Sequence, residues 1–247
     1  MSLNLEHPAS IGALRIIAHC GACTERPENT MAAFRRAIDE GADMIEHDLR
    51  LTRDGHIVVF HDATTYRLAG AGGRIAALTL EELRSLKVDG TERIPLLAET
   101  LELPVPFIHE LKVGGIEAAL VAAIDGRPDD IVSSFDHGVL DRVRAINPAV
   151  RIGYLWFGDD WQSVVAKAGG HGAHSVHPSN HDVCPEMVTS AHALGLEVYV
   201  WTVGDALRAR QLASWGVDGV MTYTPRATRD AYAASVGQGQ RRVPHKH

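Results

Sequence analysis

Met44-Ile-Glu-His-Asp-Leu-Arg50 and Ile57-Val-Val-Phe-His-Asp62 are two short apolar runs that end in charged or titratable residues. Their brevity and β-branched content predict strands, and strand periodicity puts Glu46 and Asp48 on one face. Two carboxylates sharing a face repel unless a proton or a cation lies between them, so the pair points to a divalent metal. His61, at the end of the second run, adds a group that moves protons near neutral pH.

Outward from this stretch, β-rich runs alternate with helical patterns. Strands are expected at 15–19, 44–48, 57–61, 105–111, 131–135, 152–156, 174–177, 198–202 and 219–222. Between them, Thr30–Glu40 carries apolar residues at Met31, Phe34 and Ile38 and stops at Gly41. Helical patterns follow at 80–86, 116–124, 139–146, 161–168, 185–194 and 206–215. Repeated strand-helix units call for a parallel sheet. The length of 247 residues favours a closed (β/α)8 TIM barrel forming one domain over 1–247. No glycine-rich dinucleotide fingerprint follows the first strand, which counts against an open doubly wound sheet. Residues 63–95, with Gly70-Ala-Gly-Gly73, read as a small insertion after the second strand, placed to lie over the site. The polar stretch 237–247 reads as a frayed tail.

Composition narrows the partners. Net charge is −7 with histidine neutral, which favours neither nucleic acid nor an anionic membrane surface. No apolar run approaches the roughly 20 residues of a spanning helix, and the first residues, MSLNLEHPASIGAL, do not read as a signal peptide. A cytoplasmic protein acting on a small molecule is expected. Cys20-x-x-Cys23 has the spacing of a redox or zinc motif, but no second thiol pair accompanies it.

Polar residues gather where the expected strands end, the place where barrels of this kind keep their chemistry. His19 ends the first strand, Glu46 and Asp48 lie on the second, and His61-Asp62 ends the added strand. Glu110 and Lys112 share one face of the next, and Ser134, His177 and Trp201-Thr202 close later ones. Three carboxylates offer hard oxygen ligands suited to Mg2+ or Ca2+. Two histidines suit a general acid and a general base, and Lys112 suits a phosphate oxygen. Cation, acid, base and lysine together are equipment for cleaving a phosphodiester. His47 points away from Glu46 and Asp48, toward the helices, and is expected to be a hydrogen-bonded core residue. Trp156, Trp161 and Trp215 fall in core patterns.

The ordered motifs resemble the glycerophosphodiester phosphodiesterase family. They are Ile17-Ala-His-Cys-Gly21, Arg26-Pro-Glu-Asn-Thr30, Gly41-Ala-Asp-Met-Ile-Glu-His-Asp48, Asp54-Gly-x-x-Val-Val-x-His-Asp62 and His109-Glu-Leu-Lys112. Glu92-Arg-Ile-Pro95, Ser134-Phe135, Trp201-Thr202 and Gly216-Val-Asp-Gly219 extend the resemblance across about residues 15–225. It implies hydrolysis of glycerophosphodiesters to sn-glycerol 3-phosphate and an alcohol with a divalent cation. By position, Glu46, Asp48 and Glu110 would hold the metal, His19 and His61 would be the acid/base pair, and Lys112 and Trp201 would lie near substrate.

The chain departs from the family at Cys20, where an arginine is usual. Cysteine cannot supply the bidentate donors an arginine offers a phosphate, a loss on the order of 2–4 kcal/mol in the transition state. Arg26 is the candidate substitute. The departure keeps open a catalytically weakened relative that binds a phosphorylated ligand. A phosphodiesterase of altered specificity, such as a lysophospholipase D, is the other alternative. A further departure is Thr222-Tyr-Thr-Pro225 at the last strand, where the family often has an aspartate after the threonine.

Overall fold

The structure, a computed structural model, describes residues 14–239. Nine strands run in chain order: β1 (Arg15–His19), β2 (Met44–Leu51), β3 (Ile57–Val59), β4 (Phe107–Leu111), β5 (Ile131–Ser134), β6 (Arg151–Trp156), β7 (Ser175–Pro178), β8 (Glu197–Val200) and β9 (Gly219–Thr222). Eight of them pair in parallel in the order β1-β9-β8-β7-β6-β5-β4-β2, and β1 pairs with β2, so the sheet closes into a barrel. β3 is the exception, antiparallel on the outer part of β2. The expected (β/α)8 architecture is therefore the observed one; β1 and β9 match their expected ranges and the other strands differ at one or both ends by up to three residues.

Alternation along each strand sorts the side chains into two cores. Ile16, Ala18, Ile45, Phe107, Val132, Ile152, Val176, Val198 and Val220 face the surrounding helices in one large buried cluster. Ile17, Met44, Ile108, Ile131, Tyr199 and Met221 fill the barrel, with Trp201 packed against them. One face of each strand thus serves the helix layer and the other the interior. His47 belongs to the outer face: fully buried, it bonds His109 Nδ1 through Nε2 at 2.7 Å and packs on Phe34 and Phe107.

Glycine 153 marks the tightest point of the barrel. A Cβ there would lie 2.6 Å from two ring atoms of His177. His177 is fully buried beside it, its Nε2 2.8 Å from Ser175 Oγ. It does not line the pocket at the barrel mouth, contrary to the sequence expectation. Burial lowers its pKa to about 3, against an unfolded value near 6.5. A depressed histidine contributes stability that is complete above pH 6.5 and is lost as pH falls toward the folded value. His177→Leu removes this term. Between pH 6.5 and 5 the variant should gain about 2 kcal/mol relative to the wild type in urea unfolding. A difference that stays constant over that range would show that His177 is charged in the fold.

Residues 60–96 carry a hydrophobic cluster of their own: Phe60, Ile75, Leu83, Val88 and Ile94, together with Val58 of β3. This is the expected insertion, built from short helical pieces at Tyr66–Ala69 and Leu80–Arg84. The C-terminal helix spans Pro225–Gly239. The expected tail begins inside it and, from residue 240, lies outside the described residues, as does the N-terminal segment read against a signal peptide.

Candidate active site

Strand register brings the acidic and basic residues to one level. His19 of β1 is aligned with Glu46 of β2, and Asp48 of β2 with Glu110 of β4. All face the barrel interior at the end where the βα loops begin. One oxygen from each of Glu46, Asp48 and Glu110 lies within 4.8 Å of the other two. The expected carboxylate triad is thus assembled, and all three residues are buried.

Lys112 sits against two of the three. Its Nζ is 3.0 Å from Asp48 Oδ1 and 2.5 Å from Glu110 Oε1. Burial would raise the Asp48 pKa, but the ammonium, followed by His61 and an Asn29 hydrogen bond, pulls it below its ordinary value. Glu46 is treated differently. Burial first, then the Asp48 and Glu110 charges, push its pKa well up. Burial and Asp48 likewise raise Glu110. Glu46 Oε1 is buried and accepts no hydrogen bond, although Oε2 accepts from Cys20 N at 3.1 Å.

These contacts test whether a cation fits. Were all three carboxylates ionised, the one ammonium would leave two negative charges in a buried pocket, and one carboxylate oxygen lacks a partner. A divalent ion meets both deficits. Glu46, Asp48 and Glu110 would hold it.

The two histidines are held in different ways. His19 is largely buried, and desolvation lowers its pKa to about 4, so it is neutral at pH 7. Thr202 Oγ1 lies 2.8 Å from its Nδ1, and Tyr223 stacks on its ring at 5.0 Å and 7°. Nε2 remains available, 3.7 Å from Glu46 Oε2. Tyr223 occupies the position where the family often has aspartate, so the last loop contributes an aromatic lid to His19 instead of a charge.

His61 is half-exposed and is oriented from the outside. Its Nδ1 lies 2.8 Å from Asp62 Oδ1. Arg67 of the insertion donates to both Asp62 oxygens, at 2.6 and 3.0 Å, and to both oxygens of Glu28. The Arg67 and His61 hydrogen bonds hold the Asp62 carboxyl at about 2, so it is ionised at every working pH. An anchored carboxylate on Nδ1 leaves His61 Nε2 as the ring nitrogen for chemistry. Asp62→Asn keeps the size and loses the charge. It should lower kcat roughly 10- to 100-fold with little change in melting temperature. Unchanged kcat would show that Asp62 does not orient His61.

The first βα loop sets the floor of this end. Gly21, at φ +91°, lies so close to the helix Met31–Asp39 that a Cβ would meet Ala33 Cβ at 2.7 Å. Asn29 closes the loop through its N–H on Cys20 O at 2.9 Å and reaches Asp48 Oδ2 with its amide at 2.7 Å. It therefore positions a carboxylate, a role beyond shaping the helix start. Cys20 is buried at φ +54°, with Sγ 3.4 Å from Asp48 Oδ2 and 3.7 Å from Glu46 Oε2. Arg26 is exposed and makes no hydrogen bond or ion pair among the described residues.

Trp201 lines the pocket and donates Nε1–H to His177 O at 2.8 Å. Phe135 crosses it edge-on at 5.6 Å and meets the exposed Phe157 at 5.8 Å. Trp201 was expected here; Phe135 and Phe157 beside it, Arg67 and the stacking of Tyr223 on His19 are what sequence reasoning missed. Ser134 was expected at the site, but it turns outward to bond Leu111 O, and Ser133 lines the pocket.

A parallel barrel whose strand ends bring two histidines, three carboxylates and a lysine together at one mouth is a (β/α)8 enzyme scaffold. Its particular kind follows from comparison with known proteins: residues 19–114 and 116–227 match the model of the glycerophosphoryl diester phosphodiesterase family, and the chain belongs to that family. It is 36% identical over 232 residues to a glycerophosphodiester phosphodiesterase of Caldanaerobacter subterraneus subsp. tengcongensis, covering 85% of this chain and 94% of the relative. Over 114 residues it is 41% identical to a lysophospholipase D of Rattus norvegicus, 40% of this chain and 36% of that protein. Among solved structures, an Oleispira antarctica phosphodiesterase in complex with the product sn-glycerol-3-phosphate superposes with a TM-score of 0.79 at 26% identity, covering 89% of this chain and 96% of that one.

Proposed function

We propose that this protein hydrolyses glycerophosphodiesters to sn-glycerol 3-phosphate and an alcohol, with Glu46, Asp48 and Glu110 holding a divalent cation. The observation that carries the reading is the three-carboxylate cluster within 4.8 Å, in a pocket also lined by His19 and His61. The cation, Mg2+ or Ca2+ by its oxygen donors, would neutralise charge on the phosphate.

The chain's own residues supply the proton transfers. His19, neutral through burial, is in the form that accepts a proton from an attacking hydroxyl at Nε2. His61, backed by Asp62, delivers a proton from Nε2 to the departing alkoxide. Lys112 restrains Asp48 and Glu110 and adds a positive charge to the pocket wall. Trp201 bounds the substrate on the opposite side, and the exposed Arg26 remains the proposed substitute for the family arginine. A cytoplasmic location fits three unpaired cysteines. No helix among the described residues is long and apolar enough to cross a membrane.

Release of glycerol 3-phosphate from glycerophosphocholine, with Mg2+, Ca2+ or Mn2+ against chelated protein, tests the reading. Metal-dependent turnover that disappears in His19→Ala is the expected result. Tight binding of glycerol 3-phosphate without turnover would favour a weakened, ligand-binding relative instead.

One observation favours a second reading. Phe157 is 71% exposed and Phe135 40% exposed beside Trp201, an apolar rim suited to an acyl chain on the alcohol side. A higher kcat/KM for lysophosphatidylcholine than for glycerophosphocholine, lost in Phe157→Ser, would establish a lysophospholipase D preference.

A further inference from the structure

Cys20 is the one buried reactive group at the carboxylate cluster that the phosphodiester reaction leaves unused. Its Sγ lies between Asp48 Oδ2 and Glu46 Oε2, and its backbone N–H is fixed on the same Glu46 oxygen. His19 Nε2 approaches that oxygen from another side at 3.7 Å. A nitrogen of His19, the sulfur of Cys20 and an oxygen of Glu46 all fall within 4.8 Å of one another. The ammonium of Lys112 pairs with Asp48 and Glu110 and makes no ion pair with Glu46. This face is therefore not occupied by the lysine. Glu46 Oε1, buried and without a hydrogen-bond partner, belongs to the same carboxylate whose Oε2 these groups surround.

The donor set on this face differs from the three carboxylates. Oxygen donors alone select hard ions, whereas a thiolate with an imidazole selects Zn2+, Co2+ or Cd2+. We propose that Cys20 is a metal ligand of this centre and that, with Glu46 and His19, it lets the centre bind a thiophilic divalent cation in place of the Mg2+ or Ca2+ that leaves His19 Nε2 free as the base. The inference rests on Glu46 belonging to a cation site, as the proposed function requires. On binding, the S–H bond breaks heterolytically and its electron pair stays on sulfur. The proton passes to the buffer, a sulfur lone pair bonds the ion, and nothing is oxidised or reduced.

Titration of the chelator-treated full-length protein with Co2+ tests this directly. The wild type should develop a near-ultraviolet thiolate-to-cobalt charge-transfer band that saturates at one equivalent. Cys20→Ser should lose the band, and Cys23→Ser and Cys184→Ser should keep it. In competition titrations Cys20→Ser should weaken Zn2+ binding by roughly tenfold or more and leave Mg2+ binding within about threefold. Zinc-edge X-ray absorption of the wild type needs no variant and should show one sulfur scatterer at about 2.3 Å. Co2+ or Zn2+ bound with only nitrogen and oxygen neighbours would overturn the thiolate ligand while leaving the carboxylate site standing. Failure of every divalent ion to bind would overturn both readings.

Discussion

Glu46→Gln should abolish metal-dependent turnover, lowering kcat/KM by roughly 10³-fold or more. The variant keeps the side-chain volume and the Oε atom that receives the Cys20 N–H, but it loses the charge of the carboxylate left with a free oxygen. Its stability should separate a binding role from a packing role. In the wild type, millimolar divalent ion should raise the melting temperature, because an ion that binds only the folded state stabilises it by mass action. In Glu46→Gln that rise should vanish, while the melting temperature under chelation stays equal to the wild type or exceeds it. The chelated wild type spends free energy on burying a carboxyl whose pKa burial and two like charges push up. The bound-ion effect should also weaken as pH falls, since a proton on Glu46 competes with the ion. A variant that loses stability in chelator would mark Glu46 as structural and count against the cation site.

Lys112→Met should have the largest effect on folding. The ammonium is mostly buried, at 15% exposure, and pairs with two buried carboxylates. Removing one partner of a buried ion pair strands the other charge, at a cost of about 3–5 kcal/mol. Here the sign with pH is diagnostic. Glu46 and Glu110 have raised pKa values in the fold, so the stability they contribute is present at low pH and lost as pH rises through those values. Without Lys112 both should rise further and Asp48 should lose the charge that holds its pKa down, so the defect should be present at pH 5 and grow toward pH 8. Millimolar Mg2+ or Ca2+ should recover part of it by replacing the missing positive charge. Chelated Lys112→Met as stable as wild type at pH 8 would show that the cluster needs no cation of either kind.

The contrast between these residues and others shows what linear sequence makes legible here. β1 and β9 begin and end where apolar periodicity places them, because inward and outward faces of a buried barrel strand are both apolar and end sharply at polar loops. Glu46 and Asp48 could be assigned a common face from spacing alone, and Glu110 with Lys112 likewise. Their convergence depends on the β1–β2 and β2–β4 registers, which follow from barrel closure and have no local signature. Ser134 shows the limit of counting: one residue of phase exchanges it with Ser133, and a short apolar run fixes phase weakly. Arg67 was out of reach for a different reason. It bonds Glu28 from 39 positions away, and nothing in a polar insertion distinguishes it from a solvated arginine. Tyr223 was visible as a departure from the family pattern, but its stacking on His19 joins opposite ends of the chain.

The insertion keeps its greasy interior to itself: Ile75, Leu83, Val88 and Ile94 pack with Val58 and Phe60, separate from the cluster that joins barrel and helices. A lobe whose core meets the scaffold chiefly at Val58 and Phe60 can be exchanged as a module, provided its replacement keeps those contacts. The guanidinium clasp on Asp62 and Glu28 must be carried along, as must the bonds of Arg53 to Ala77 O and Leu78 O and of Leu80 N to Asp54. For protein engineering, that makes residues 63–95 a cassette through which the support of His61 by Asp62 can be reset on one scaffold.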